Sequence, residues 1–143
     1  MQTSIAIASD HAGFEYKEML KSHLEAQGYN VTDFGTHSTD PVDYPDFIRP
    51  AADAVARGEH SLGVLVGGSG NEAIVANRLR GIRCAVVWNE RTARLAKEQG
   101  DCNMIAIGQR LMSEGEAIFI VATWLAAEFK GGRHQKRIEK IYE

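Results

Sequence analysis

An open parallel sheet with helices on both faces, an α/β fold, is what this 143-residue sequence predicts, on three observations. Short apolar, β-branched runs recur along the chain. The stretches between them repeat apolar residues at helical spacing. The two kinds alternate from one end of the sequence to the other, as strand-helix-strand crossovers do.

The first run, Ser4 to Ala8, is continuously apolar rather than alternating, as expected of a strand covered on both faces. Glu15 to Gln27 then places Met19, Leu20 and Leu24 on one stripe, and Gly28 suits a helix C-terminus. Tyr29 to Phe34 is a weaker second strand, followed by a helix over Pro45 to Arg57. Leu62 to Val66 gives the third strand and Asn71 to Leu79 the next helix. Arg83 to Val87, Arg91 to Glu98, Met104 to Ile107 and Glu114 to Phe129 continue the alternation as strand, helix, strand and helix. No linker, low-complexity stretch or repeat interrupts it, so residues 1–143 read as one domain.

The composition, 44% hydrophobic and 24% charged, is that of a globular protein with a real core. A net charge of -3 gives no overall pull towards nucleic acid or an anionic membrane. Apolar runs such as Ala117 to Ala122 are too short to span a bilayer, and the first residues lack the basic and apolar regions of a secretory signal. Cys84 and Cys102 have no metal-ligand spacing and form no disulfide framework, which fits a reducing cytoplasm. Cys84, inside a strand, reads as a buried small hydrophobe, and nothing near Cys102 argues for an activated thiolate.

In an open parallel sheet the ligand lies beyond the carboxyl ends of the strands. That rule selects Ser9 to Gly13, Gly35 to Tyr44, Gly67 to Glu72, Trp88-Asn89 and Gly108 to Arg110, where polar residues and glycines concentrate. Asp10 and His11 can hydrogen-bond a polyol or exchange protons with it; equally, Asp10 can cap the next helix and His11 be a solvated loop residue. Gly67-Gly68-Ser69-Gly70-Asn71 lets backbone approach a ligand and offers amides to an anion, but lacks the lysine and spacing of a nucleotide P-loop. A plain tight turn also fits. Glu72, in a first helical turn, either complements the helix dipole or acts as a base. Arg133 and Arg137, four apart in the one basic cluster, suit a phosphate dianion or simply face water, and Arg110 is a further phosphate candidate.

Taken together, in this order and spacing, these segments resemble the ribose-5-phosphate isomerase type B and galactose-6-phosphate isomerase family. The carriers are Ser9 to Phe14 with Lys17, Asp43-Tyr44-Pro45, Gly67 to Asn71, Ala76-Asn77-Arg78, Gly81-Ile82-Arg83, Asn103, Gly108-Gln109-Arg110, and Gly132 to Arg137. The likeness covers almost the whole chain. It implies a Rossmann-like three-layer α/β/α sandwich with a five-stranded parallel sheet. It also implies a homodimer, or a tetramer, with sites shared between subunits, a C-terminal helix over about 133–142 reaching the partner, and no metal or organic cofactor.

Carried over, Asp10, His11, Tyr44, Asn103 and the loop Gly67, Gly68, Ser69, Gly70 and Asn71 hold the sugar, and Arg110 holds the phosphate region with Arg133, His134 and Arg137 of the partner chain. Many members place a catalytic cysteine where this chain has Gly67, whereas others with this loop use a glutamate just beyond it. Glu72 matches that glutamate, across a loop one residue shorter. Members that open a furanose ring carry a histidine where this chain has Gln99, so ring opening falls to His11 or is not needed. The implied reaction converts an aldose phosphate, ribose 5-phosphate by default, to its ketose through a cis-enediol, with Glu72 as base and Ser69 and nearby amides stabilising the enediolate. Three alternatives stay open: an isomerase for a tetrose or hexose phosphate such as erythrose 4-phosphate, a non-catalytic subunit, and a flavodoxin-like binding module.

Overall fold

The computed structural model describes residues 3–143. Five parallel strands form one sheet in the order β2-β1-β3-β5-β4: β1 (Ser4–Ser9), β2 (Asn30–Asp33), β3 (Leu62–Gly67), β4 (Cys84–Val86) and β5 (Met104–Gly108). Helices α1 (Phe14–Ala26), α2 (Pro45–Ala56), α3 (Glu72–Ala76), α4 (Glu90–Glu98) and α5 (Glu114–Ala126) alternate with the strands, and α6 (Arg133–Ile141) closes the chain.

The continuous apolarity of the central strands has a simple cause: successive side chains enter two different cores. Ile5, Ile7, Val64, Val66, Ile105 and Ile107 pack under α1, α4 and α5 with Leu20, Ala93 and Trp124. Ala6, Ala8, Leu65 and Ala106 face α2 and α3, against Ile48, Ala52 and Ala76. Small strand residues on the second face let α2 and α3 approach closely.

The start of the loop after β2 is fixed by a buried ion pair. Lys17, 0% exposed, donates to both oxygens of Asp33 at 2.8 and 2.7 Å. Asp33 in turn accepts the Gly35 amide at 2.8 Å. Gly35 and Thr36 then bond the backbone of Ser9, immediately before Asp10.

The structure departs from expectation in the extent of three elements, α3, α5 and β4. Helix α3 stops at Ala76, short of Leu79, because the Asn77 amide turns back to bond both backbone groups of Cys84, 2.8 Å each. Helix α5 stops at Ala126, short of Phe129, because Ala127 is extended. Strand β4 is trimmed to Cys84–Val86 at the sheet edge, and a single 3-10 turn, Gln109–Leu111, follows β5.

Candidate active site

The strand order reverses direction between β1 and β3, whose neighbours were reached by crossovers to opposite sides, so the crevice at their carboxyl ends is where such sheets bind ligands. The loop after β1 is set by Asp10, whose carboxylate accepts the Gly13 amide at 2.8 Å at the entry to α1. Position 13 must be glycine, since a β-carbon there would run into the Val66 carbonyl. His11 is oriented by the Val42 amide, which donates to Nδ1 at 3.1 Å and so leaves the neutral ring's proton on Nε2.

The loop after β3 brings Glu72 to the same place. Its residue is 2% exposed, and a β-carbon on Gly67 would occupy the space its carboxyl group fills. Oxygen Oε1 is buried without a hydrogen-bond partner. Burial first, and then the neighbouring Asp10 carboxylate, push the Glu72 carboxyl up from 4.5 to about 7. A carboxylate poised near neutral pH, with one oxygen free, is what a general base needs.

Three loops then converge on Gly68. Its carbonyl accepts the Arg110 amide at 3.1 Å, and a β-carbon at 68 would stand 3.0 Å from Arg110 Nη1 and 3.4 Å from Ala12. The guanidinium therefore lies over the glycine loop beside the Asp10–Gly13 segment. Gly70, at φ +93°, makes the turn that leaves Ser69 exposed and brings Asn71 to the start of α3. Tyr44 is half-buried at the N-cap of α2, packed against the second core.

Other expected residues lie elsewhere. Asn103 precedes β5, at the amino edge of the sheet, and its side-chain amide is spent on backbone: it accepts the Arg83 N–H at 3.0 Å and donates to the Gly81 carbonyl at 2.8 Å. Within one chain Asn103 therefore does not meet Asp10 and His11, because a residue that precedes a parallel strand stands at the opposite edge from the loops that follow β1 and β3. Helix α6 also lies at the amino edge, where Ile138 and Ile141 line a cavity of about 350 Å³ with Arg83, Cys84, Gly100 and Cys102. Arg133 and Arg137 are exposed on it, and His134 is half-buried, sharing the Ile138 side of the helix by its four-residue spacing. One chain thus does not bring these three residues to Glu72.

Sequence reasoning missed Val42, which holds His11 by a backbone amide that no residue type announces, and Ala12, which with Arg110 closes the space beside Gly68. It also missed the contact of Asp10 with Glu72, two loops apart. Burial raises both thiols, strongly at Cys84 and to about 11 at Cys102, so neither is poised as a thiolate. Among the described residues no cluster of histidine, cysteine and acidic side chains is arranged to hold a metal ion.

The profile of the ribose/galactose isomerase family matches residues 5–141. Ribose-5-phosphate isomerase B of Escherichia coli is 41% identical over 138 residues, covering 96% of this chain and 93% of that protein. The structure of Clostridium thermocellum ribose-5-phosphate isomerase B superposes with a TM-score of 0.96 at 45% identity, over 97% of this chain and 95% of that one. The Mycoplasma genitalium enzyme, solved with bound ribulose-5-phosphate, gives a TM-score of 0.94 at 39% identity, over 99% of this chain and 95% of that one. A family profile spanning nearly every residue, a parallel sheet that superposes throughout and relatives near 40% identity lead to one conclusion: this chain belongs to the ribose/galactose isomerase family.

Proposed function

We propose that this chain interconverts ribose 5-phosphate and ribulose 5-phosphate, with Glu72 as the base. The observation that carries the reading is the Glu72 carboxyl, buried over Gly67 with Oε1 unpartnered in the crevice between β1 and β3. The names of the relatives and the bound sugar of the Mycoplasma genitalium structure support the substrate.

In this reading Glu72 takes the proton from carbon 2 of the open-chain aldose. The electrons of that bond form the carbon 1–carbon 2 double bond, and the carbonyl pair moves to oxygen 1. Ser69 and the neighbouring loop amides stabilise the cis-enediolate, a contribution of about 3–4 kcal/mol for each well-placed donor. Glu72 returns the proton to carbon 1 while the carbon 2 hydroxyl passes its proton to oxygen 1, so that oxygen 1 becomes a hydroxyl and carbon 2 the ketone. Asp10, His11, Tyr44 and the Gly67–Asn71 loop hold the sugar hydroxyls. Arg110 takes the phosphate end with Arg133, His134 and Arg137 of a second copy, so that binding energy remote from the reacting carbons orients them.

A homodimer follows from that assignment, since α6 and the Glu72 loop lie at opposite edges of one chain. Exposed Ile74, Val86, Trp88 and Leu111 around the glycine loop supply an apolar surface for the second copy to cover. No described helix is long and apolar enough to cross a membrane, and the free thiols Cys84 and Cys102 suit a reducing cytoplasm. Assay of the purified chain against tetrose, pentose and hexose phosphates tests the substrate; turnover of ribose 5-phosphate above the others supports it, and none at all refutes it.

One observation favours a second substrate. Gln99, exposed at the end of α4, stands where ring-opening relatives of the resembled family carry histidine. Erythrose 4-phosphate cannot close a furanose through its phosphorylated oxygen and needs no such group. If His11 opens the pentose ring, through the Nε2 proton its Val42 contact leaves, His11→Ala abolishes ribose 5-phosphate turnover and spares the tetrose. Wild-type preference for the tetrose would favour the second substrate instead.

A further inference from the structure

Helix α6 is held at both ends by contacts outside the site. Where the chain enters it, the Lys130 amide donates to the Glu98 carbonyl at 3.0 Å, and Gly131 and Gly132 turn at φ +63° and +59°. Where it ends, Tyr142 is gripped by two arginines. Arg83 Nη1 donates to the Tyr142 hydroxyl at 2.7 Å, Arg80 Nη2 donates to its carbonyl at 3.1 Å, and the two guanidinium carbons lie 5.9 and 5.4 Å from its ring centre. Arg83 is itself rigid: Nε and Nη2 donate to the carbonyls of Gly100 and Asp101 at 3.0 and 2.8 Å, and Asn103 holds its backbone amide.

Within its own chain little else can fix this helix. Nine residues are too few for a helix to persist in water alone. Arg133, Lys136, Arg137 and Lys140 repel one another against the single carboxylate of Glu139, and Ile138 is the one buried residue. We propose that Tyr142 is a positioning residue for phosphate binding: clasped by Arg80 and Arg83, it fixes the orientation in which α6 presents Arg133 and Arg137. Bidentate recognition of a phosphate depends on pre-set guanidinium geometry, and a loose helix would have to be ordered at each binding event. This rests on the proposed role of Arg133 and Arg137. It also gives Asn103 a place in the molecule, as the brace of the arginine that makes the clasp.

The test compares Tyr142→Phe, which keeps the ring between the guanidinium groups but removes the hydroxyl, with Tyr142→Ala, which removes both. Three quantities are read: KM and kcat for ribose 5-phosphate, the affinity of inorganic phosphate by calorimetry, and amide exchange across residues 133–141. Tyr142→Ala should raise KM and weaken phosphate about tenfold with kcat within about twofold, and speed exchange in α6, the pattern of lost binding geometry without lost chemistry. Tyr142→Phe should fall between it and the wild type. Faster exchange or lower thermal stability with unchanged phosphate affinity would overturn the proposal and leave Tyr142 a structural residue only. Arg137→Ala with unchanged phosphate affinity would overturn it too, by removing the subsite. If no sugar phosphate is turned over yet Arg137→Ala and Tyr142→Ala both weaken phosphate, the isomerase reading fails and the clasp stands.

Discussion

The carboxyl group of Glu72 lies against the α-carbon of Gly67, in the volume that any β-carbon at position 67 would take. The two residues are therefore one device. A side chain on the last residue of β3 and a glutamate at 72 exclude each other, and this chain keeps the glutamate. Gly67→Ala should swing the carboxyl group out of its pocket and lower kcat by at least about a hundredfold, the scale of losing a positioned base. The check is steady-state kinetics alongside a thermal melt: a folded Gly67→Ala protein with near-normal kcat would show that Glu72 need not sit where it does.

Burial and Asp10 raise Glu72 to about 7, which fixes a pH dependence for activity. If Glu72 is the base it acts ionised, so kcat/KM should rise with pH through about 7 and level off above it. Asp10→Asn removes one of the two causes and should move that inflection to lower pH. A pH profile of each protein, with the sugar phosphate's own ionisation measured separately, decides it.

The same shift has a stability counterpart. Folded Glu72 holds its proton more tightly than the unfolded chain does, so stability falls as pH rises from 4.5 to about 7 and is flat above. At about 1.4 kcal/mol per unit, the ionised carboxyl costs at most about 3–4 kcal/mol. Glu72→Gln should therefore match the wild type near pH 4 in urea denaturation and exceed it in stability at pH 8.

Lys17 and Asp33 make the opposite case. Burial pushes Asp33 up, but the Lys17 hydrogen bond, the Gly35 amide and the charges of Lys17 and Lys21 together hold it below 3.8. Its contribution is present above that value and is lost as pH falls through the lowered one. Lys17→Ala leaves a nearly buried carboxylate with only Lys21, 3.5 Å away, and the Gly35 amide, and should cost about 3 kcal/mol in urea unfolding at pH 7. A loss under about 1 kcal/mol would mean that water replaces the lysine.

Much of this was legible in the residues. Continuous apolar runs announced strands buried on both faces, and Ser4–Ser9, Leu62–Gly67 and Met104–Gly108 formed where those runs stand. The glycine loop after β3 and the Asp10-His11 pair were visible because strand ends collect polar residues and glycines. Helix ends were less visible: nothing in Asn77 as a residue type reveals that its amide will grip Cys84 and stop α3. That Asn103 stands apart from Asp10 within one chain could have been read from its place before β5, since a residue that precedes a parallel strand starts at the amino edge. The meeting of Asp10 with Glu72 is a property of strand order, which periodicity does not carry.

If the phosphate arginines come from a second copy, two defective chains can repair each other. Arg137→Ala and Glu72→Gln chains mixed under conditions of subunit exchange should recover part of the lost activity, because half of the sites in hybrid dimers regain both residues. No recovery despite proven exchange would place Arg137 and Glu72 in the site of a single chain.

If Glu72 carries the proton between carbons 2 and 1, solvent exchange reads that proton directly. Ribulose 5-phosphate turned over in D2O should acquire deuterium at carbon 2 of the ribose 5-phosphate formed, to the extent that the Glu72 carboxyl exchanges with solvent before returning its proton. Glu72→Gln should lose isomerisation and carbon-bound exchange together, each by at least about a hundredfold, in a protein that still melts cooperatively. Carbon-bound exchange persisting at the wild-type rate in folded Glu72→Gln would contradict the account and assign the proton to another group.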